Sequence, residues 1–387
     1  MPVVMYDPAN FTPYYLEGLC GGLSQLGLRP SVISSPPLFE AVDPNGRYEL
    51  CWWFAPWMRG GLRSALRHRT WLRRTLRAAS YPSGLWRTGR RLASRSPGCL
   101  HVHWALAPRL DRLLFRALRS RGWRIVHTVH DPLPGPERPW ARRGQLALYA
   151  LADALIVHTE RHAQQLRLAC PAISERLHVI PHGNTRRSLP TEADRRAARR
   201  ALELGQGPVI LFFGMLKPYK ELEYLVAAFP RVLAAFPTAR LVIAGEPLMS
   251  LGPLERQIAQ LGLQHAVTLH AAFIPQADVP RYFAAADILA AAYLDVRASG
   301  VVALAQSFGV PVVVARSDQS AASATDAAVV QVPPRSPEEL AKALCVAFSD
   351  PRSLAEMGRR AWRRIDDESA WEVVARGTLK LYGEDHE

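Results

Sequence analysis

Residues 208–224, PVILFFGMLKPYKELEY, constrain the fold of this chain more than any other stretch. Five apolar residues run from Val209 to Phe213, the pattern of a strand buried on both faces in a parallel sheet. Gly214 ends the run, and a short loop then carries Lys217 and Lys220. Glu223, Leu225, Val226, Phe229, Val232 and Leu233 follow at the spacing of an amphipathic helix. A strand, a basic loop and a helix in that order set backbone N–H groups and ammoniums at the positive end of a helix dipole, a seat for phosphate. Of the 48 basic residues only four are lysines, and two of them fall in this loop, so the ammonium itself is singled out. The competing reading is a strand-to-helix turn with solvated lysines, since short motifs also arise by chance.

A chain of 387 residues exceeds one comfortable hydrophobic core, so two domains are expected. The five cysteines are scattered and never form a CxxC, which argues against disulfides and a structural zinc and fits a reducing, cytoplasmic setting. The opening MPVVMYDPANF lacks a charged region followed by a long apolar run, so no signal peptide is expected. No apolar run is long enough to span a bilayer. The net charge of +14 is unevenly placed. Residues 1–183 hold 25 arginines against 11 acids, and the remainder is balanced at 23 of each. Such asymmetry points to an anionic surface partner for the first half.

In that half, residues 2–6 read as a strand, 13–26 as a helix ending at Gly27, and 28–34 as a second strand, an opening suited to a doubly wound sheet. The intervening loop, with Thr12, Tyr14 and Tyr15, is a candidate for binding an acceptor, or a plain connection. Residues 50–110 contain no acid, and eleven arginines fall within 59–95, beside Trp52, Trp53, Trp57, Trp71 and Trp86. Leucines 62, 66, 72 and 76 partly separate an apolar from a basic face. Tryptophan beside arginine on such a helix favours the interface of an anionic membrane, with Trp71, Arg73, Arg74 and Arg77 as the candidate contacts. A solvated face and a phosphate backbone are the rivals, and the apolar spacing speaks against nucleic acid. Residues 100–104 and 125–129 read as buried strands flanking a basic helix over 110–121. The second strand exits through His130, Asp131 and Pro132, where a parallel sheet presents its ligands. His101, His103 and His127 read as packed residues. Residues 152–157 form another strand, and Pro181, Gly183 and Asn184 a turn between domains.

The second half repeats the alternation: strands at 209–213, 239–245, 267–269, 288–292 and 309–315, helices at 192–203, 222–233, 254–261, 279–285 and 301–308. This is a second parallel α/β domain. Ser299 and Gly300 open one helix, a second seat for phosphate or simply a cap plus glycine. The chain closes on a helix over 369–382.

Two successive Rossmann-like domains resemble the GT-B glycosyltransferases, and the second half resembles the family 4, group 1 type of exopolysaccharide and lipopolysaccharide biosynthesis. The stretches that carry the resemblance are FFGMLKPYKELEYLVAAF (212–229), LVIAGE (241–246), VTLHAAFIPQADVPRYFAAADILAAAY (267–293), SGVVALAQSFGVPVVVA (299–315) and SAWEVVARGTLKLY (369–382). The resemblance implies an α/β fold of two Rossmann-like domains with a cleft between them: an acceptor domain at 1–183, a nucleotide-sugar domain at 184–365, and 366–387 crossing back onto the first. It further implies His130 at the donor sugar, with Asp131 beside it, and donor contacts from Gly214, Lys217, Lys220, Glu246, Arg297, Ser299 and Gly300. No metal and no cofactor are expected, the nucleotide-sugar being substrate. The implied partner is a polyprenyl-diphosphate-linked saccharide at the inner membrane face, with no role for nucleic acid.

The chain departs from the family pattern in ways that bear on chemistry. Met215 stands where an arginine is usual, Glu221 where a glycine is usual, and the paired glutamates fall on Arg297 and Ala305. Transfer passes through an oxocarbenium-like sugar centre with a departing diphosphate, whose charge Lys217, Lys220, Arg297 and the helix end at Gly300 would neutralise. Retention of configuration needs no side-chain base; inversion would call on Asp131 or an acid within 7–17. A sugar-nucleotide epimerase of the same fold, which needs no acceptor surface, and an inactive nucleotide-sugar binder are the alternatives.

Overall fold

A computed structural model describes residues 1–37, 44–58, 70–130, 133–134, 138–185, 187–291, 300–315, 329–365 and 369–383. Two compact units result: unit 1 comprises 1–183 and 369–387, unit 2 comprises 184–368.

Unit 1 is built on seven parallel strands, β1 (Val3–Asp7), β2 (Ser31–Ser34), β3 (Glu49–Trp52), β4 (Cys99–Val102), β5 (Arg124–Thr128), β6 (Ala154–Val157) and β7 (Leu177–Val179), in the order β3-β2-β1-β4-β5-β6-β7. Alternate residues of each strand enter opposite cores. Val4, Tyr6, Leu100, Val102, Ile125 and Leu155 meet the helices at Thr70–Ala93, Pro108–Arg119 and Pro139–Tyr149. Val3, Met5, Val126 and Ile156 meet the helices at Pro13–Gln25 and Trp371–Lys380. Burial on both faces explains why the central strands β1 and β6 read as largely apolar runs.

The terminal helix reaches its place because glycines let it. A Cβ on Gly18 or Gly183 would stand 2.0 or 2.2 Å from the Trp371 ring. Asp111 ties the opposite layer together: the Tyr6 and Tyr81 hydroxyls both donate to its Oδ1 at 2.7 Å, and the Ala107 N–H donates to Oδ2 at 2.9 Å.

Unit 2 holds six parallel strands, β8 (Val209–Phe213), β9 (Arg240–Ala244), β10 (Val267–His270), β11 (Ile288–Ala291), β12 (Val312–Ala315) and β13 (Val329–Val332), in the order β10-β9-β8-β11-β12-β13. In each sheet the strand order reverses once, between β1 and β4 and between β8 and β11. Ligands of doubly wound sheets lie beyond the carboxyl ends at such points.

Three strands escaped the sequence reading. β3 (ELCW) and β7 (LHV) are short and broken by polar residues, and β13 (VVQV) sits at a sheet edge with three of its four residues only partly buried. The described part of the arginine-rich helix runs from Thr70 to Ala93, through Pro82, well beyond the leucine pattern that announced it.

Candidate functional site

The exit of β8 is a platform stitched to the exit of β9. The Gly214 N–H donates to the Ala244 carbonyl at 3.0 Å, Leu216 N–H to Glu246 at 2.9 Å, and Leu248 N–H to Leu216 at 2.9 Å. Gly245 is pressed so closely that a Cβ there would lie 2.0 Å from the Gly214 oxygen. Gly214 itself has a φ of 106°, a conformation that glycine alone adopts freely. The Lys220 ammonium lies over Gly214, 3.2 Å from where a Cβ would be, and 5.2 Å from the centre of the Phe212 ring. Burial, then the nearby Lys217 ammonium, press the Lys220 pKa down to about 8. An anion arriving here offsets both the desolvation and the repulsion from Lys217, so the loop gains from binding phosphate.

Glu221, buried and at a φ of 50°, precedes the helix Leu222–Ala235 and gives it no side-chain cap. Its Oε1 is held by Arg335 Nε and a terminal nitrogen, each at 2.7 Å. The ion pair anchors the side chain of a residue whose backbone lies in the left-handed region, which favours glycine.

Unit 1 presents a different surface at its strand exits. β4, β5, β6 and β7 are followed within three residues by His103, His130, His158 and His182. Their rings surround Tyr15, with centroid distances of 5.7, 4.7, 5.3 and 5.1 Å, and Trp371 closes the ring at 5.2 Å. Trp104 stacks on His130 at 5.5 Å. His101 bonds the Tyr382 hydroxyl and Thr128 Oγ1, each at 2.7 Å, and His127 sets an edge against Tyr149. Burial depresses all of these imidazoles, to about 3 for His101, His127 and His158, so the cluster is uncharged at neutral pH. Despite the convergence, no group of three or more His, Cys, Asp or Glu among the described residues has a metal-holding arrangement.

Beside the cluster, Asp7 is fully buried at the end of β1 and accepts the Asn10 N–H at 2.9 Å. Burial lifts its pKa to about 7, against the hydrogen bonds from its own loop.

The sequence candidates fall in several places. Gly214, Lys217, Lys220 and Glu246 share the β8–β9 platform, Glu246 through its backbone. His130 stands in the histidine cluster. Tyr15, expected at the acceptor, is instead buried as the hub of the cluster. Thr12 receives the Trp104 indole N–H at 3.1 Å, and Tyr14 remains exposed. Among the membrane candidates, Trp71 is 70% exposed and Arg74 lies outward, with Arg73 half-buried. Arg77 turns inward: its guanidinium donates to the Ala9 carbonyl at 2.7 Å and Ser35 Oγ at 2.6 Å, which makes it part of the β1 loop's support rather than of an outer basic face. Gly300 opens the helix Gly300–Ser307, in which Ala305 is wholly buried. Asp131, Arg297 and Ser299 lie outside the described residues. Sequence reasoning missed the roles of His103, His158, His182 and Trp371. Histidines at or just beyond the ends of three strands named from sequence, His103, His130 and His158, were a partial signal; His182 follows a strand that sequence did not reveal.

The comparisons agree with this architecture. A family model described as "Glycosyl transferases group 1" matches residues 207–350, and one described as "Glycosyltransferase Family 4" matches residues 14–184. A D-inositol 3-phosphate glycosyltransferase of Jonesia denitrificans is 30% identical over 321 residues, covering 75% of this chain and 73% of that protein. Among solved structures, Anabaena Alr3699/HepE in complex with UDP and glucose superposes with a TM-score of 0.77 at 18% identity, covering 99% of both chains. WaaG, a glycosyltransferase involved in lipopolysaccharide biosynthesis, superposes with a TM-score of 0.68 at 15% identity, covering 99% of this chain and all of that one.

Proposed function

The chain belongs to the family 4, group 1 glycosyltransferases, and from that premise we propose that it is a hexosyltransferase taking its sugar from a nucleotide-sugar. The observation that carries the donor assignment is the Lys220 ammonium seated over Gly214. Lys217 and Lys220 hold the donor diphosphate and neutralise it as it leaves, with Arg297, Ser299 and the helix that begins at Gly300 adding to that field. His130 meets the donor sugar, and Asp131 stands next to it in sequence. No cofactor and no metal take part, so a chelator leaves the rate unchanged. An Arg297→Ala variant with an unaltered donor KM would remove Arg297 from this scheme.

The acceptor in this reading is a polyprenyl-diphosphate-linked saccharide at the cytoplasmic membrane face, in surface polysaccharide synthesis. Support comes from the outer layer of unit 1. Trp71, Trp86, Leu113 and Trp140 are 62–70% exposed on three helices that cover one face of its sheet, among many arginines. Side chains with an apolar body beside cations suit the headgroup zone of an anionic bilayer. No helix among the described residues is long and apolar enough to cross a membrane, so attachment is peripheral in this scheme. A second reading, a small phosphorylated polyol as acceptor, is favoured by the name of the Jonesia relative.

The purified chain, offered a nucleotide-sugar panel, separates them. Transfer to lipid-linked saccharide in vesicles, lost when Trp71 and Trp86 become serine, supports the first. Transfer to inositol phosphate that is indifferent to vesicles supports the second. Donor epimerised without any acceptor would indicate the epimerase alternative.

A further inference from the structure

Three imidazoles at the strand exits of unit 1 are joined nose to tail, and one carbonyl sets the direction of the whole chain. His158 Nδ1 lies 3.1 Å from the Ile180 carbonyl oxygen. A carbonyl can only accept, so Nδ1 carries the proton, and in a neutral ring Nε2 is then a bare acceptor. His130 Nδ1 lies 3.3 Å from that nitrogen and must donate to it. His130 Nε2 is thereby an acceptor in turn, and receives His103 Nδ1–H at 3.2 Å. The chain ends at His103 Nε2, a buried lone pair with no hydrogen-bond partner among the described residues.

The reverse polarity would aim the lone pair of His158 at that of the Ile180 carbonyl. An imidazolium anywhere in the chain would place an unsolvated charge among buried rings, which is costly. His182, whose Nδ1 lies 2.8 Å from the Gly183 carbonyl, is fixed in the same tautomer beside them.

We propose that His158 is a positioning residue that holds His130 in its Nδ1–H form, with His103 donating to the nitrogen that results, so that His130 Nε2 accepts hydrogen bonds and never donates one. The consequence for substrate rests on the transferase reading above, in which His130 meets the donor sugar. A ligand group that displaces His103 from Nε2 must be a donor. A sugar hydroxyl qualifies, whereas the carboxylate of a uronic acid meets a lone pair. The chain therefore selects neutral hexose donors over acidic ones.

The test uses the full chain labelled with ¹⁵N-histidine, in long-range ¹H–¹⁵N correlation spectra at pH 7.5. His103, His130 and His158 are expected as Nδ1–H tautomers. The polarity predicts an asymmetry. His158→Phe removes the acceptor and releases His130 into mixed tautomers, whereas His103→Leu leaves His130 as Nδ1–H. His158→Gln, whose amide oxygen can take the His130 proton, restores the wild-type signature. In turnover, His158→Phe should narrow the kcat/KM preference for a neutral over a uronate donor by roughly five-fold, the worth of one neutral hydrogen bond, and His158→Gln should recover it. A wild-type His130 protonated at Nε2, or a His130 tautomer unmoved by His158→Phe, would overturn the proposal. The spectrum of the unmodified chain decides this even where a variant does not fold. The three tautomers found in a chain that turns over no nucleotide-sugar would support the positioning claim and overturn the transferase reading.

Discussion

The two sheets share a topology and differ in what they place at their carboxyl ends. Unit 2 offers glycine, exposed backbone and two ammoniums on a stitched platform; unit 1 offers aromatic rings and neutral imidazoles. The first arrangement suits an anion, because its cations are partly desolvated and their fields lightly screened. The second suits hydroxyl groups and apolar surface, because its hydrogen-bonding imidazoles are neutral. One architecture thus gives two chemistries, set by which side chains follow each strand. The comparison also teaches where charge is tolerated. The first 183 residues carry the chain's whole basic surplus, yet the described arginine that reaches the β1 exit, Arg77, is taken up by the Ala9 carbonyl and Ser35 Oγ.

Several substitutions would break or sharpen this contrast. The largest effect is expected from Asp111→Ala, which strips two buried phenols and one N–H of their acceptor and should cost roughly 3–5 kcal/mol. Nine of the ten tryptophans lie in unit 1, so the urea midpoint of tryptophan fluorescence reads this loss. Nucleotide binding by unit 2 should persist under native conditions; its disappearance would show that the two units do not keep their chemistry separately.

Gly214→Ala forces a side chain into a φ of 106° and displaces the Lys220 ammonium. A cost of about 1–3 kcal/mol is expected in unit 2, with weaker nucleotide binding by titration calorimetry and no change in the unit 1 tryptophan signal.

The pH response should separate the units more gently. In unit 1, His101, His103, His127, His130 and His158 resist protonation when folded, and take it up near their ordinary 6.5 when unfolded. Their contribution is complete above pH 6.5 and is lost as pH falls toward 3. Asp7 and Asp111 act oppositely: with folded values of about 7 and about 6, they favour the fold at low pH and lose that effect as pH rises from about 4. Five groups outweigh two, so the tryptophan midpoint should fall on acidification from pH 6.5 to 5, by about 1.4 kcal/mol per pH unit for each uncompensated proton. In unit 2, the depressed value of Lys220 adds stability only as pH rises between about 8 and 10.5. A midpoint independent of pH below 6.5 would contradict the buried, neutral cluster.

The smallest effect is expected from Glu221→Gly. It removes about 1–2 kcal/mol of left-handed strain and an unpartnered buried Oε2, and gives up an ion pair whose arginine stands largely in solvent. A slight gain in thermal stability follows.

Much of this was legible in the sequence because strands buried on both faces leave unbroken apolar runs. Val209–Phe213, Arg240–Ala244 and Ile288–Ala291 were found that way. The platform loop was visible because lysine is rare in a chain rich in arginine. The histidine cluster was not visible, because each ring alone is as well explained by packing. Its convergence depends on strand order, which brings β4 to β7 side by side. The burial of Tyr15 was hidden for the same reason, since nothing local shows that four histidines enclose it. The inward turn of Arg77 depends on a β1 loop far from it in sequence.

Nucleotide-sugar turnover by Lys220→Ala beside the unaltered chain tests the central claim, that the β8 exit holds the donor diphosphate. The account predicts a fall in kcat/KM of roughly a hundred-fold or more, with an unchanged tryptophan midpoint. Transfer at the full rate without the Lys220 ammonium would contradict it.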